Sequence, residues 1–521
     1  MSIIKSAATV GGFTMISRVL GFVRDVLIAA LVGTGPIAEA FVIAFRIPNL
    51  FRRLFGEGAF NAAFVPLFAK QLEHEGKEPA VRFAEEALAG LVLALLIFSA
   101  IAVTFMPALA YLQAPGFADD TAKFDLTVLM SRIAFPYLAF MSVTAMLGGI
   151  LNSLHRFTAA AAAPVLLNVI MIAVMSVLTF GGWKADAQTG QIMVWAVSAG
   201  GLAQLVMLWI AVRRAGIKLR FVRPRYTSKV QRLVQLGIPG VIAGGIAQIN
   251  LVISTAFASM QDGAAPWLYY ADRVYQLPLG VVGVAIGIVL LPELSRQLRA
   301  GNLAAVDESQ NRALEFSLLL TIPAAIALMA IPRPIIQVLF ERGAFNAADT
   351  TASALALGAF AAGLPAFVLI KIFSPGYFAR EDTKTPMYFA GIGVTVNIVM
   401  ALVLFKYFNH VGIAIAASIA AWVNATLLGV VLTHRGFFKT DKRLRKNLFF
   451  ILINSLVMGA VLLAINHFAF EYFTKQTLFI GRVGLLGGIV VIGAGVYFVF
   501  CHFTGVFKLS DFKAAFRRKK S

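Results

Sequence analysis

The chain has 521 residues, of which 59% are hydrophobic and only 13% are charged. Soluble globular domains are about 45–50% apolar and about 25% charged, so this composition excludes an ordinary soluble enzyme. It also excludes a disordered chain, which needs low hydrophobicity. Lys and Arg outnumber Asp and Glu by 45 to 25. In a membrane protein such an excess indicates basic loops that set the topology, and we expect no nucleic-acid partner.

Long apolar segments recur along the whole chain, and about 20 such residues in a helix cross a bilayer. The sequence therefore predicts an all-α polytopic membrane protein with fourteen transmembrane helices. Arg18, Arg24 and Asp25 interrupt the first segment, so we expect it to remain as a helix rather than to be cleaved as a signal peptide. The predicted spans are 7–33, 37–69, 87–111, 126–151, 158–180, 191–212, 233–258, 267–292, 313–331, 350–373, 387–405, 411–433, 447–467 and 478–502.

The basic residues are distributed unequally between the loops on the two sides of these spans. Loops after even-numbered spans, together with both tails, carry 30 Lys and Arg, whereas loops after odd-numbered spans carry six. The positive-inside rule then places both termini in the cytoplasm. The most basic loop, 213–232, has eight Lys and Arg and no acid. Contact with anionic headgroups would explain this loop, and so would topology alone.

The chain also contains an internal duplication, with an offset of 226 to 229 residues between matching segments. Residues 66–72 resemble 292–298, and 168–171 resemble 397–400. Six spans make one unit, and because six is even both copies share one orientation. We therefore predict two parallel six-helix repeats around a central cavity, which rocking of the repeats opens to each side in turn.

The duplication and the basic loop predict the domain organisation of the chain. Residues outside the repeat form two further spans, in which Gly484 and Gly488 have the spacing of a close helix contact. These two helices serve either as a groove for a lipid tail or as a scaffold. The predicted domains are an N-terminal lobe at 1–215, a basic cytoplasmic linker at 216–232, a C-terminal lobe at 233–435, and the two extra helices with a basic tail at 436–521.

Nine basic residues lie inside the predicted spans, and five of them lie in the first two. A charged side chain at the middle of a membrane helix costs about 2.5–3.5 kcal/mol, so such residues need a partner or a polar cavity. Fewer acids accompany them, chiefly Asp25, Glu39, Glu57 and Asp272, so the set stays net positive. The nine are Arg18, Arg24, Arg46, Arg52, Arg53, Arg132, Arg273, Lys371 and Arg482.

Helical spacing places several of these charges on common faces. Arg18 and Asp25 share one face of the first span and Ser17 shares the neighbouring face with Arg24. In the second span one stripe carries Glu39, Arg46, Arg53 and Glu57. Single pairs such as Arg24 with Asp25 fit structural salt bridges, and Lys371 and Arg482 lie near span ends, where snorkelling explains them. The remaining excess favours an anionic ligand, since arginine bonds two phosphate oxygens at once.

The sequence has few residues that serve enzymatic or metal chemistry. Cys501 is the single cysteine, and the six histidines have no ligand spacing. Nucleotide-binding and nucleophile-elbow motifs do not occur in the sequence. We therefore expect no enzyme activity, no metal site and no cofactor.

Several short motifs together resemble the MurJ (MviN) family of lipid II flippases, which belongs to the multidrug/oligosaccharidyl-lipid/polysaccharide exporter superfamily. The resemblance covers essentially the whole chain. It rests on Ser-Arg-Val-Leu-Gly-Phe-Val-Arg-Asp at 17–25, Pro-Asn-Leu-Phe-Arg-Arg at 48–53, Glu-Gly-Ala-Phe at 57–60, Tyr-Tyr-Ala-Asp-Arg at 269–273, Leu-Pro-Glu-Leu-Ser at 291–295 and Lys-Thr-Pro at 384–386.

The resemblance implies a function and a set of site residues. It implies that the chain moves lipid II, the undecaprenyl-diphosphate-linked peptidoglycan precursor, across the bacterial inner membrane for cell wall synthesis. It implies that the two extra helices form a groove for the polyprenyl tail, and that membrane lipids and cell-wall synthesis proteins are further partners. The family's cavity arginines correspond to Arg18, Arg24, Arg52 and Arg273, with Ser17 and Asp25 beside them, and they are implied to hold the diphosphate and the sugar head group. Together with Glu39, Arg53 and Glu57 from the stripe of the second span, these are the candidate substrate-binding residues.

The sequence departs from the family pattern in two places. Glu39 stands where the family often has Asp. Some relatives bind sodium through acids on the seventh and eleventh spans, but here 233–258 has no carboxylate and the eleventh span offers Asn397. A sodium site of that kind is not expected, and the energy coupling stays open.

The alternative function is export of another polyprenyl-diphosphate-linked glycan. A glycosyltransferase would need a catalytic acid or base and usually a large external loop. The stretches between the predicted spans are about 20 residues at most, and the sequence has no Asp-x-Asp motif.

Overall fold

The computed structural model describes residues 3–53, 60–474 and 479–507. All secondary-structure elements in these ranges are helices, which confirms the all-α fold class. Besides a short 3-10 helix at Pro115–Asp119, the elements are α1 Ile3–Val32, α2 Pro36–Phe51, α3 Asn61–His74, α4 Lys77–Thr104, α5 Met106–Gln113, α6 Thr121–Ala134, α7 Pro136–Ser153, α8 Phe157–Phe180, α9 Ala187–Arg214, α10 Ser228–Ala258, α11 Ala264–Arg299, α12 Leu303–Ala330, α13 Pro332–Phe340, α14 Ala347–Phe378, α15 Lys384–His434, α16 Lys442–Thr474 and α17 Phe479–Phe503.

Within the described ranges, nine helical segments are long and apolar enough to cross a membrane. They correspond to ten of the predicted spans, because α15 contains two. The predicted first, second, seventh and eighth spans are not among them, so the count of fourteen crossings stays a prediction. Many large apolar side chains of these segments are exposed, including Phe180, Ile480 and Phe503 at 80–90%. Such surfaces belong in lipid, because water-soluble monomers rarely expose large apolar patches, and the chain is a multi-pass membrane protein.

Two breaks in the helices occur at Pro136 and at Asn409. The span predicted at 126–151 is formed by α6 and α7, which meet just before Pro136, a residue with no backbone N–H to donate. The continuous segment α15 would be about 77 Å long as one helix. Asn409 interrupts it with a non-helical backbone (φ 50°, ψ −136°). Its two arms agree with the separate spans predicted at 387–405 and 411–433.

The second predicted span, 37–69, corresponds to two helices. Helix α2 ends at Phe51 and α3 begins at Asn61. Residues 54–59, which include the candidate site residue Glu57, lie outside the described residues.

The chain divides into two compact units. Unit 1 comprises Met1–Pro266 with the short loop Arg342–Asn346. In it α1 packs along α8, α8 and α7 pack along α9, and α2 packs along α6. Two apolar cores result, one centred on phenylalanines of α3 and α4 and one on methionines of α6, α8 and α9. Helix α10 groups with unit 1 although it begins the predicted C-terminal lobe, and the division at 215, 232 and 435 stays a prediction.

Unit 2 comprises Trp267–Glu341 and Ala347–Ser521. Its centre is the pair α14 and α15, and α12 packs against both α14 and α16. Two fully buried tyrosines cross-link its helices: Tyr377 donates to the carbonyl oxygen of Leu428 at 2.7 Å, and Tyr497 donates to that of Leu319 at 2.8 Å. The second bond fixes α17 to α12, so the two helices outside the repeat are anchored in the core of this unit.

The predicted close contact at Gly484 and Gly488 is wrong for this structure. A Cβ at either position would meet no heavy atom within 4 Å. Close approach of α17 to α16 occurs instead at Gly493, where a Cβ would lie 2.9 Å from Cδ2 of Leu462. The four-residue spacing of the glycines identifies a helix face of small residues. It does not show which helix, if any, packs against that face.

Glycine at position 363 of α14 is required by its contact with α15. A Cβ there would lie 2.6 Å from Oγ and 2.9 Å from Cα of Ser418. Ser418 is fixed, because its hydroxyl donates to the carbonyl oxygen of Ala359 at 2.7 Å. We expect Gly363→Ala to lower the free energy of unfolding by about 1–3 kcal/mol through overpacking, measured as a lower melting temperature in detergent.

Gly358, on the same helix, provides the matched control. A Cβ at this position meets nothing within 4 Å, and alanine is favoured over glycine in a helix by about 1 kcal/mol. Gly358→Ala should therefore leave the melting temperature unchanged or raise it. Equal melting temperatures for the two variants would contradict the assigned contact.

Candidate substrate-binding site

Arg24 and Asp25, in the C-terminal third of α1, form a buried ion pair. Their exposed fractions are 8% and 1%. Arg24 Nε and Nη2 both donate to Asp25 Oδ1, at 3.1 and 2.8 Å. Neighbouring residues of a helix can pair in this way because the arginine side chain is long enough to fold back over the carboxylate. The sequence analysis named a salt bridge between Arg24 and Asp25 as one explanation of these charges, and the structure contains this salt bridge. The pair carries no net charge.

Asn168 of α8 holds this pair in place. Its side-chain oxygen accepts a hydrogen bond from Arg24 Nη1 at 3.0 Å. Its amide nitrogen donates to the backbone oxygen of Ser17 at 2.9 Å and lies 3.3 Å from Ser17 Oγ. Gly21 faces this amide, and a Cβ there would lie 3.6 Å from Asn168 Nδ2, an ordinary van der Waals contact. The network therefore joins two turns of α1 to α8 and fixes the orientation of the Arg24 guanidinium.

Asn168 was missed as a site residue in the sequence analysis, where it served only as one end of a repeated segment. A usable signal was present in the sequence: an amide side chain in the middle of a strongly apolar predicted span, where the structure shows it to be 5% exposed. Buried polar groups are nearly always hydrogen-bonded, so this amide had to have a polar partner on a neighbouring helix.

The other arginines of the first two spans are less buried. Arg18 is exposed on α1, and Arg53 is exposed just after α2. Arg52 is half-buried, and its Nε donates to Asn49 Oδ1 at 3.0 Å, one turn back along α2. Arg46 donates through Nη1 to the hydroxyl of Thr255 in α10. In unit 1, therefore, α1 carries a tied guanidinium at Arg24 and an exposed one at Arg18, and α2 carries a tied one at Arg46.

Glu39, in the first turn of α2, pairs with a lysine of α6. It is 1% exposed, and its carboxylate accepts from Lys123 Nζ at 3.1 Å and from the backbone N–H of Gly263 at 2.7 Å. Lys123 also contacts Asp262 Oδ1 at 2.7 Å and the ring of Phe117 at 4.6 Å. These contacts tie α2 and α6 to the loop after α10. The sequence analysis placed Lys123 in a loop and so gave Glu39 no partner.

Arg273 lies in α11 of unit 2 and is half-buried. Its Nη2 donates to the hydroxyl of Tyr269 at 3.2 Å, and its guanidinium lies 4.7 Å from the centre of that ring. The neighbouring Asp272 accepts a hydrogen bond from Gln276. The Tyr-Tyr-Ala-Asp-Arg motif thus stacks its arginine on its own first tyrosine, one helical turn away.

Arg482 differs from its predicted role as a snorkelling residue. It lies 3.6 Å from the carboxylate of Glu341 and is 21% exposed at its side chain. Thr350 donates to the same carboxylate at 2.7 Å. Over the ranges that the structure describes, no three His, Cys, Asp or Glu side chains converge as a metal site.

Comparison with known proteins places the chain among lipid-linked precursor transporters. The family profile described as "Lipid II flippase MurJ" matches residues 28–484. A "Probable lipid II flippase MurJ" of Rhizobium meliloti (strain 1021) is 49% identical over 100% of this chain and 97% of its own length. A "Lipid II flippase MurJ" of Burkholderia cenocepacia is 33% identical, with all of both chains covered.

Solved structures agree with this assignment. A lipid II flippase MurJ in an inward closed conformation superposes with a TM-score of 0.78 at 26% identity, covering 95% of this chain and 98% of that one. An inward-facing multidrug resistance transporter of the MATE family and MOP superfamily gives a TM-score of 0.66 over 80% of this chain and 94% of its own. At 12% identity, the second likeness concerns the fold alone. By sequence and by structure, the chain belongs to the MurJ family of lipid II flippases.

Proposed function

We propose that this chain moves lipid II from the cytoplasmic to the periplasmic leaflet of the inner membrane by alternating access. The observation that carries the proposal is the match along the whole chain with relatives named lipid II flippase. A shared fold alone would not suffice, because related folds serve different substrates. The chain is a multi-pass inner membrane protein of a transporter family, and no bond is made or broken in the proposed step.

The proposed substrate contact is between the diphosphate and arginines of α1, α2 and α11. Arg18, Arg24 and Arg52 come from unit 1, and Arg273 comes from unit 2. A planar guanidinium bonds two phosphate oxygens in parallel, which suits a diphosphate better than an ammonium does. Ser17, Asp25, Arg53 and Glu57 complete the proposed set around the head group. Neutralisation of this positive set by the diphosphate is the proposed start of the change of access.

Glu39 has a supporting role in this proposal. Its carboxylate is already engaged by Lys123 and by the N–H of Gly263. An acid at this position is therefore needed to hold α2 and α6 together, and its contribution to substrate binding is through the placement of α2.

Arg24→Ala should abolish lipid II export, because it removes the fixed guanidinium and breaks the buried ion pair with Asp25. Arg24→Lys keeps the charge but cannot bond Asp25 and Asn168 together, so we expect at most a small fraction of the activity. The measurement is lipid II accessible on the outer face of the inner membrane in a host depleted of the native chain.

The control for this experiment is Arg296→Ala, since the Arg296 side chain is 74% exposed and pairs only with Glu293 nearby. It should export lipid II normally. Depletion itself should raise total lipid II while the external fraction falls. Unchanged external lipid II on depletion would favour export of another polyprenyl-diphosphate-linked glycan, and normal export by Arg24→Ala would remove this arginine from the site.

Asn168→Leu tests the positioning of Arg24 from α8. The variant removes a hydrogen bond to a charged group, worth about 1.5–3 kcal/mol, so lipid II binding should weaken by roughly tenfold or more. Affinity for lipid II and melting temperature are measured on the same purified variant. Asn152→Leu, at an exposed site at the end of α7, is the control. A lower melting temperature with unchanged affinity would make Asn168 a structural residue only.

The proposed orientation, with both termini in the cytoplasm, is testable because Cys501 is the single cysteine. In a Cys501→Ser background, Asp186→Cys lies between α8 and α9, after an odd-numbered span. Arg223→Cys lies in the basic loop between α9 and α10. A membrane-impermeant thiol reagent added to intact spheroplasts should label position 186 and should label position 223 only after permeabilisation. Labelling of position 223 in intact spheroplasts, with position 186 labelled only after permeabilisation, would show the opposite orientation.

A further inference from the structure

A cavity of about 740 Å³, open on one side, lies in unit 1, and the residues of the Arg24 network do not line it. Thr9 of α1 borders it on one side, the turn between α7 and α8 on another, and the last turns of α9 on a third. Its volume is in the range of sites that bind small molecules, about 300–1,000 Å³. Nothing in the proposed lipid II contact uses these residues.

One rim of this cavity is basic. His155, Arg156 and Arg214 line it, and all three side chains are exposed. Arg156 Nη1 donates to the backbone oxygen of Arg214 at 3.3 Å, which holds the two residues side by side at the end of α9. Among the residues that the structure describes, no carboxylate lies within ion-pair distance of either guanidinium. The rim therefore keeps its positive charge.

The backbone of the turn fixes this rim. His155 has a positive φ of 57°, a left-handed conformation that a non-glycine residue seldom adopts. The turn is closed by a hydrogen bond from the N–H of Arg156 to the carbonyl oxygen of Leu151 at 2.8 Å. Arg156 thus leaves the turn in a set direction, beside the C-terminal end of α9.

The remaining wall of the cavity is apolar. It includes Leu151, Phe157, Met207 and Ile210. A soluble anion such as inorganic phosphate gains nothing from this wall, whereas a molecule with an anionic head and a hydrocarbon chain matches both parts. Apolar surface buried by a chain contributes in proportion to its area.

The depth of the cavity fits the boundary between headgroups and hydrocarbon. Trp209 lies on α9 one turn before Arg213, whose guanidinium is 5.8 Å from the Trp209 ring. Trp209 also stacks on Phe221 at 5.5 Å between ring centres. Tryptophan and tyrosine concentrate at the membrane interface, so Arg156 and Arg214 are at headgroup level. In the predicted orientation this interface is the cytoplasmic one, whose leaflet carries anionic lipids.

From these observations we propose that an anionic glycerophospholipid of the cytoplasmic leaflet binds in this cavity. Its phosphate lies between Arg156 and Arg214, and one acyl chain follows Leu151, Phe157 and Met207. The bound lipid bridges α1, the α7–α8 turn and α9. It is a site for a bilayer lipid, separate from the proposed lipid II contact and independent of it.

A reporter in the cavity tests the proposal on the full-length chain. In the Cys501→Ser background, Ile210→Cys is labelled with a small fluorophore, and the protein is reconstituted in vesicles. Dioleoyl phosphatidylglycerol is compared with dioleoyl phosphatidylcholine, each with brominated chains that quench the label. Near a membrane surface each arginine strengthens binding of an anionic lipid about fivefold, so quenching should show a preference of roughly 25-fold for phosphatidylglycerol.

Matched variants separate the cavity from general surface charge. Arg156→Gln with Arg214→Gln should bring the preference to near unity, and Arg156→Lys with Arg214→Lys should retain most of it. Arg213→Gln removes one charge outside the cavity, at Trp209, and should leave the preference unchanged. The melting temperature of each variant in detergent confirms that the compared proteins are folded.

Four results would overturn the proposal. The first is equal quenching by the two lipids in the parent protein. The second is an unchanged preference in the double glutamine variant. The third is a loss of preference in Arg213→Gln as large as that expected for the double glutamine variant. The fourth is displacement of the lipid by glycerol 1-phosphate at concentrations similar to those of the lipid, which would indicate a site for a free phosphate rather than for a phospholipid.

Discussion

The arrangement of this protein depends on one constraint: a charged side chain inside an apolar helix must find a partner within that low-dielectric surrounding. Arg24 satisfies it twice, with Asp25 on its own helix and Asn168 on α8. Because Asn168 also bonds the backbone of Ser17, the charge fixes the contact between α1 and α8. Removing one member of a buried pair costs more than the pair contributes, since the other charge is left behind.

The same constraint recurs where helices meet loops. Glu39 is neutralised by Lys123 and capped by the N–H of Gly263, so it holds α2 and α6 to the segment after α10. In unit 2, Arg482 approaches Glu341, which joins α17 to the end of α13. Charges that look like ligand-binding residues in a sequence thus divide into two kinds. Some tie helices together, and others, such as Arg18, remain exposed on the helix surface.

Features that depend on one helix at a time were predictable, and features that depend on pairs of helices were not. The apolar runs gave the helices, and even the break in α15 at Asn409 falls between two predicted spans. The roles of Asn168 and Lys123 were not predicted, because each depends on a contact with a side chain of another helix. The helix contact predicted at Gly484 and Gly488 was wrong although their spacing was suitable. Among the described residues, α17 turns this face away from its neighbours.

The pairing of Arg24 has a consequence for how an anionic head group would bind. Arg18 lies about 9 Å away along α1 and is exposed, so a phosphate reaches it without breaking any contact. At Arg24 a phosphate competes with Asp25 and Asn168 for the guanidinium N–H groups, and phosphate oxygens that replace either acceptor change this network. Replacing Asn168 costs little, because phosphate makes a charge-assisted bond with arginine, whereas replacing Asp25 takes the guanidinium from a buried carboxylate. The result of exchange at Asn168 is a changed contact between α1 and α8, and substrate binding would in this way be coupled to movement of the first helix.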